Sequence, residues 1–153
     1  MINSLARKHP NKIVGAKLTC GNLGKLQRIA RPGPVTPFSP FAGKSDFFLP
    51  GLVAGSNGVI AALANVVPKL HVHLLKLYTD GKLQEAMEVQ TKLSHADWTL
   101  SKVGVAGVKS VVAEFFSYGS ARARRPLGRF DIKSLSGNAY RSLEEVVNVE
   151  KSL

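Results

Sequence analysis

Short apolar runs alternate with helically spaced apolar positions over the first sixty or so residues. The first run predicts a strand at Ile13–Lys17, and a polar turn leads from it to a helix over Leu23–Ala30. The segment 32–34, Pro-Gly-Pro, ends that helix because proline cannot continue a helix and glycine permits a reversal. A second strand is expected around Val35–Ala42, although its prolines fit a central strand poorly.

The order of helix and strand repeats once more after residue 42. Ser45 or Asp46 is expected to cap a short helix over Phe47–Ala54, and Gly58–Leu63 is an unbroken apolar run. Such a run is typical of a strand buried on both faces of a parallel sheet. Strands and helices at this spacing predict parallel βαβ units, whose polar turns are where α/β folds place ligands.

From Leu63 onwards the apolar positions follow a helical period to the end of the sequence. Trp98, Phe115 and Phe116 fall at helical spacing and are expected in the core. We therefore expect two parts, three βα units over residues 1–66 and a helical region over residues 67–153 that packs as one unit. The helices predicted for the second part are Pro68–Thr79, Leu83–Lys102, Val105–Tyr118 and Asn138–Val149.

Composition narrows the class of protein. The chain has 153 residues, of which 44% are hydrophobic, and this suits one globular domain. No apolar run approaches the roughly 18 residues of a membrane helix, and residues 1–12 lack the apolar core of a secretory signal. The single cysteine, Cys20, excludes an internal disulfide, so we expect a cytoplasmic or mitochondrial protein without a membrane partner.

The formal net charge of +11 could attract nucleic acid, anionic lipid or small anions. The dense basic cluster lies at residues 122–129, and aromatic residues do not interleave with it as they would in a base-stacking platform. We interpret the cluster as a solvated surface and expect no nucleic-acid partner.

Lys17 stands at the carboxyl end of the first predicted strand. Burial would disfavour its charged form, lower its pKa and yield the neutral amine that attacks a ketone to form a Schiff base. The alternative is a side chain that extends past the strand end into water. On spacing alone, the second interpretation is the better one.

A set of collinear motifs favours the Schiff-base interpretation of Lys17 instead. These segments are HPNKIVGAK (9–17), GNL (21–23), AGSNGVIAALANVVP (54–68), KLYTDGKLQEAMEVQTKL (76–93), GVKSVV (107–112) and RRPLG (124–128). Through them the chain resembles the dihydrodipicolinate synthase / N-acetylneuraminate lyase family from about residue 8 to residue 130. Among the members of that family, it resembles the fungal-type 4-hydroxy-2-oxoglutarate or 2-keto-3-deoxy-sugar-acid aldolases.

The resemblance implies a helix-rich α/β fold, with strands six to eight of a (β/α)₈ TIM barrel followed by a C-terminal helical bundle. It also implies Schiff-base chemistry on pyruvate or another 2-keto acid, with no cofactor or metal, in a family whose full-length members form homo-oligomers. Lys17 matches the family's Schiff-base lysine on the sixth strand. Gly43 and Ile60 match positions that line the keto-acid pocket, largely through their backbone.

The family's barrel needs eight strands and roughly 250 residues. The threonine pair that would hold the substrate carboxylate and the tyrosine that would relay protons belong to its N-terminal half, and they have no counterpart here. We therefore expect a truncated aldolase that is inactive alone. The alternative is a non-catalytic barrel remnant that serves as an interaction or oligomerisation module.

Other candidate chemistries are weaker. His71 and His73 are two residues apart and would face different directions on a helix, so they are poorly placed to share a metal ion. Cys20 lacks a neighbouring histidine base, and the segment GSNG (55–58) lacks the Lys-Ser/Thr of a phosphate loop. We expect no metal site.

Overall fold

The structure is a computed structural model that describes residues 1–31 and 38–153, and these form two units, Met1–Ala61 and Ala62–Leu153. Among these residues no helix combines the length and apolar character that crossing a bilayer requires. The helices and strands are, in chain order, α1 (Ile2–Lys8), β1 (Gly15–Leu18), α2 (Leu23–Ala30), β2 (Ser39–Ala42), α3 (Phe48–Val53), α4 (Pro68–Thr79), α5 (Leu83–Phe116) and α6 (Asn138–Ser152).

The first unit contains a parallel sheet. β1 pairs with β2 in the register that places Lys17 beside Phe41, and a parallel bridge joins Ala42 to Val59. Since α2 connects β1 to β2 and α3 follows β2, these segments form the βα units that the apolar pattern predicted. The early part of the predicted second strand, residues 35–37, lies outside the described residues.

The start of α2 has a local cause. The side chain of Asn22 accepts a hydrogen bond from the Lys25 backbone N–H at 2.8 Å, which satisfies one of the free donors at the helix N-terminus. The residue that directly precedes α3 is Phe47, and the predicted cap residues Ser45 and Asp46 lie in a 3₁₀ turn, Ser45–Phe47, just before the helix. α1 was not predicted, since its seven residues are too few to show a clear helical period.

The predicted strand Gly58–Leu63 is wrong in length and in burial. Only the bridge at Val59 is strand-like, and the chain turns into a 3₁₀ helix at Leu63–Asn65. Ile60 is 48% exposed, so this segment is not buried on both faces. An apolar run shows that its side chains can be buried, but whether they are buried depends on the other elements that pack against them.

The second unit is helical, as predicted. α4 begins with Pro68 in its first turn and buries Leu70, Leu74 and Leu77. The two helices predicted between Leu83 and Tyr118 form one element, α5, interrupted at Gly104, whose φ of 61° and ψ of −156° are accessible to glycine. The break predicted between the two helices is therefore confirmed, and it lies at Gly104.

The prediction that Trp98 belongs to the core is wrong, because Trp98 is 59% exposed. Phe115 and Phe116 are half-buried, and the Phe115 ring centroid lies 5.9 Å from that of Tyr140. Helical spacing shows which residues share a face, but it does not show which face is buried.

A buried carboxylate fixes the beginning of α4. Glu150 of α6 accepts hydrogen bonds from the backbone N–H groups of Lys69 at 3.1 Å and Leu70 at 2.8 Å. The residue before the helix, Val67, provides no side-chain cap, so these N–H groups are satisfied by a residue about eighty positions away. The negative charge also lies at the positive end of the helix dipole.

His71 is a buried titratable group on α4. It is 5% exposed, and its Nδ1 lies 2.7 Å from the Val67 carbonyl oxygen, to which it donates in the neutral form. Burial lowers the pKa of His71 below its ordinary value of 6.5, and the hydrogen bond to Val67 and the charge of Glu150 oppose this shift without cancelling it.

We predict that this histidine makes stability depend on pH. The unfolded chain takes up a proton at His71 as the pH falls through 6.5, whereas the folded chain resists protonation until the lower folded-state pKa is reached. The free energy of unfolding should therefore fall as the pH decreases below 6.5, by up to about 1.4 kcal/mol per pH unit from this group. Urea unfolding at pH 7.5 and 5.5 measures the change.

The matched variants are His71→Asn and His73→Asn. Replacing His71 should remove this part of the pH dependence, whereas replacing the half-buried His73 should leave it. Equal pH dependence in the unmodified chain and His71→Asn would contradict the assignment.

Candidate functional site

The direction of the Lys17 side chain follows from the packing of β1. Leu18 is buried against Leu26 and Ile29 of α2, and Ala16 packs against the same cluster. Because successive side chains of a strand point to opposite faces, Lys17 lies on the face of the sheet away from α2.

The neighbouring segments contribute to this same face. Phe41 is the register partner of Lys17, and it alternates with Ala42, whose Cβ lies toward Gly51 of α3. Gly58 and Ile60 flank Val59, the bridge partner of Ala42, and so lie on the Phe41 side. A Cβ at Gly58 would lie 3.5 Å from the Phe41 ring, which agrees with this placement.

Gly43 lies where β1 and β2 end. Its backbone N–H donates to the Leu18 carbonyl oxygen at 2.9 Å, so the ends of the two strands are joined one residue beyond Lys17. A Cβ at Gly43 would lie 2.6 Å from the Thr19 Cα and 2.7 Å from the Leu18 carbonyl carbon. Only glycine permits this approach without displacement of the backbone.

Ile60 is joined to the same edge. Its backbone N–H donates to the Ala42 carbonyl oxygen at 2.9 Å. Lys17, Gly43 and Ile60 therefore come from, or directly follow, three adjacent parallel segments at their carboxyl ends. This is the edge at which open and closed α/β sheets place their ligands.

The expectation that Lys17 is buried is not met. Lys17 is exposed within the described residues. The reason is that α2 covers the opposite face of β1, and the face that carries Lys17 is open.

Two residues that the sequence did not single out help to build this edge. The hydroxyl of Ser56, which is 9% exposed, accepts from the backbone N–H of Ala42 at 3.0 Å and of Gly58 at 3.2 Å, and it donates to the Gly58 carbonyl oxygen. Ser56 thereby ties β2 to the segment that contains Ile60. Phe41 forms an aromatic surface beside Lys17, and the period-two alternation from Ala42 could have identified it.

The arrangement offers an amine, an aromatic surface and backbone carbonyl groups. Within residues 1–31 and 38–153, no three His, Cys, Asp or Glu side chains are placed to hold a metal ion together. A primary amine at the mouth of a parallel sheet can form a covalent bond with a carbonyl compound. The open face leaves room for such a compound.

Comparison with known proteins identifies the family. Residues 1–145 match the family model described as the dihydrodipicolinate synthetase family. This chain belongs to that family. The resemblance inferred from the sequence motifs is therefore confirmed.

Fungal relatives are among those that match. The chain is 38% identical to the L-threo-3-deoxy-hexylosonate aldolase of Aspergillus niger over 95% of its own length and 49% of that protein. It is 46% identical to a protein of Emericella nidulans named "Probable 4-hydroxy-2-oxoglutarate aldolase, mitochondrial", over 77% of this chain and 37% of that one.

A solved structure supports the fold. A dihydrodipicolinate synthase family protein from Coccidioides immitis superposes with a TM-score of 0.78 at 36% identity, covering 99% of this chain and 51% of that one. The helix-rich α/β fold is thus that of the family, and the chain spans about half the length of the relatives that it matches.

We predict that Gly43→Ala destabilises the first unit. The added methyl group meets backbone atoms of Leu18 and Thr19, and such overpacking typically lowers the free energy of unfolding by about 1–3 kcal/mol. Urea unfolding measures the loss. Gly128→Ala is the control, since nothing lies within 4 Å of its Cβ position, and equal stability of the two variants would show that the contact at Gly43 is unimportant.

Proposed function

We propose that the chain is the C-terminal portion of a class I, Schiff-base aldolase that acts on pyruvate or on 2-keto-3-deoxy acids. The observation that carries this proposal is the position of Lys17, at the carboxyl end of β1 and on the face that it shares with Phe41 and Ile60. Relatives that bear aldolase names support the choice of reaction.

In the proposed reaction the neutral Nζ of Lys17 attacks the C2 carbonyl carbon of the keto acid and gives a carbinolamine. Loss of one water molecule yields the imine, which is protonated on nitrogen to an iminium ion. The C4 hydroxyl gives up its proton to water as the C3–C4 bond breaks, and the iminium accepts the electron pair of that bond, so an aldehyde leaves and an enamine remains. Protonation of the enamine at C3 and hydrolysis release pyruvate and restore the lysine.

Gly43 and Ile60 would act through their backbone. Their N–H groups already donate within the sheet, to Leu18 and Ala42, so the polar atom that each could turn toward a ligand is its carbonyl oxygen. The side chain of Ile60 would add an apolar surface to the pocket. Gly43, which has no side chain, would keep its backbone close to that of Leu18 and Thr19, next to Lys17 in the chain.

In this proposal β1, β2 and the segment around Val59 are strands six to eight of a TIM barrel. Residues 1–66 form the barrel portion and residues 67–153 the C-terminal helical region. The succession of parallel segments linked by helices supports this assignment. The remaining strands would cover the face on which Lys17 lies and supply the carboxylate-binding and proton-relaying groups. We further propose a cytoplasmic or mitochondrial location, because the Emericella relative carries a mitochondrial name.

We predict covalent trapping of pyruvate at Lys17. Borohydride reduces an imine to a stable secondary amine, so peptide mass spectrometry should find the reduced pyruvate adduct at Lys17 more often than at the exposed Lys12 or Lys25. Lys17→Arg keeps the charge but cannot form the imine, and it should abolish the adduct at this position. Labelling of Lys17 no greater than that of Lys12 and Lys25 would argue against the proposal.

We also predict that the purified chain shows no aldolase turnover. General acid–base catalysis alone typically contributes about 10²–10⁴-fold, and the tyrosine expected to supply it has no counterpart in this sequence. Pyruvate release from a 2-keto-3-deoxy acid is the measurement, with the full-length Aspergillus niger relative as the positive control. Release by this chain that disappears in Lys17→Ala would refute the prediction.

The second candidate is a non-catalytic barrel remnant that serves as an interaction module. The exposure of Lys17 and Ile60 favours this candidate, since a face that is open to water is available to a binding partner. The trapping experiment separates the two candidates, because an interaction module does not require an imine at Lys17.

A further inference from the structure

The chain between α5 and the 3₁₀ turn Ile132–Ser134 carries the dense basic cluster of the sequence. Residues 117–131 contain no helix or strand. Within them lie the four arginines of the cluster, Arg122, Arg124, Arg125 and Arg129. All of these arginines are exposed to solvent, and we call residues 122–129 the arginine segment.

The positive charge of the arginine segment is not neutralised by its neighbours. The acidic residues nearest to it in the sequence are Glu114 and Asp131. Glu114 pairs with the Lys133 ammonium at 3.3 Å, and the Asp131 carboxylate accepts a hydrogen bond from the Lys133 backbone N–H at 2.9 Å. Among residues 1–31 and 38–153, no ion pair includes an arginine of this segment. The guanidinium charges are therefore available to an anionic partner.

An apolar side chain lies within the arginine segment. The Leu127 backbone N–H donates to the Arg124 carbonyl oxygen at 3.1 Å, which closes a turn with Arg125 and Pro126 at its centre. Such a turn keeps its first and last Cα atoms within about 7 Å of each other, so arginine and leucine residues share one small region. Leu127 is 50% exposed, although leucine is usually buried. The turn thus presents positive charge and an apolar side chain together.

We propose that the arginine segment binds the surface of a bilayer that contains anionic lipids, with the Leu127 side chain inserted at the boundary of the acyl chains. Each arginine near an anionic leaflet strengthens binding by about fivefold, and burial of the leucine adds to this. The inference is independent of the proposed aldolase function. It revises the expectation from the sequence that the cluster is a solvated surface without a membrane partner.

The position of the apolar residue favours a bilayer over a nucleic acid. Proteins that bind single strands combine basic residues with aromatic rings on which bases stack. The rings nearest in sequence, Tyr118 and Phe130, lie outside the arginine segment, and the large apolar residue within it is the aliphatic Leu127. An aliphatic side chain has no stacking face, but it gains free energy when it leaves water for an apolar phase. The combination of charge and apolar burial is the one that segments at a membrane surface use.

Co-sedimentation of the full chain with lipid vesicles tests the proposal. Phosphatidylcholine vesicles with about 30% phosphatidylserine should bind the chain at least about tenfold more strongly than vesicles of phosphatidylcholine alone. Raising the salt concentration from about 0.1 M to about 0.5 M should weaken this binding, because the ions screen the attraction. Equal binding to the two kinds of vesicle, or binding to neither, would overturn the proposal.

Two variants of equal net charge locate the membrane-binding surface. The first carries Arg122→Gln, Arg124→Gln, Arg125→Gln and Arg129→Gln. It should bind the anionic vesicles at least about a hundredfold more weakly than the unmodified chain. The control carries substitutions of exposed lysines elsewhere, Lys12→Gln, Lys25→Gln, Lys69→Gln and Lys76→Gln.

The control variant should lose less than about tenfold in binding, because its lysines add only to the general field of the protein. Equal losses in the two variants would show that net charge alone attracts the vesicles, and this would overturn the assignment to the arginine segment. All of the substituted residues are exposed, and circular dichroism checks that both variants remain folded.

A single substitution tests the insertion of Leu127. Leu127→Ala keeps every charge and should weaken binding to the anionic vesicles by about threefold or more, because less apolar surface leaves water. Val72→Ala is the control, since Val72 is 66% exposed but lies on α4, and it should leave vesicle binding unchanged. Vesicle binding that is insensitive to Leu127→Ala would contradict the insertion. A polyuridine oligomer that binds the chain while the anionic vesicles do not would assign the arginine segment to nucleic acid instead.

Discussion

The candidate site depends on the packing of α2 and α3 onto one face of the parallel sheet. Leu18 lies in the cluster with Leu26 and Ile29, and Ala42 lies toward Gly51. Once these side chains are fixed on the helical side, the alternation of the strands places Lys17, Phe41 and Ile60 on the other side. A shift of one residue in β1 would turn Lys17 into the apolar cluster, so the burial of Ala16 and Leu18 determines where the amine lies.

The close approach of the strand ends is the second condition. Gly43 donates to Leu18 and has no Cβ to meet the Thr19 backbone, while the Ser56 hydroxyl accepts the N–H groups of Ala42 and Gly58. These contacts hold three parallel segments together although the third forms only an isolated bridge. The edge that presents Lys17 is thus defined by backbone contacts, and the face of the sheet that carries Lys17 is open.

The second unit is held by contacts between residues far apart in the chain. Glu150 of α6 satisfies the first N–H groups of α4, and Thr99 of α5 lies 3.1 Å from Ser142 of α6 between their hydroxyl oxygens. Buried polar groups such as these fix which faces of the helices turn inward, since each must find a partner. The orientation they impose on α5 leaves Trp98 exposed, while its neighbours Asp97 and Thr99 are buried.

The sequence determined the elements whose causes are local. Asn22 caps α2, Pro68 begins α4 and Gly104 interrupts α5, and each effect acts within a few residues of the chain. The collinear motifs also identified the family. The tertiary structure decided what depends on distant partners. This includes the exposure of Lys17, Ile60 and Trp98. It also includes the hydrogen bonds by which Ser56 joins β2 to the segment around Val59 and those by which Glu150 caps α4. An apolar or charged residue carries its own chemistry, but its burial is set by whichever elements pack against it, and these are specified elsewhere in the chain.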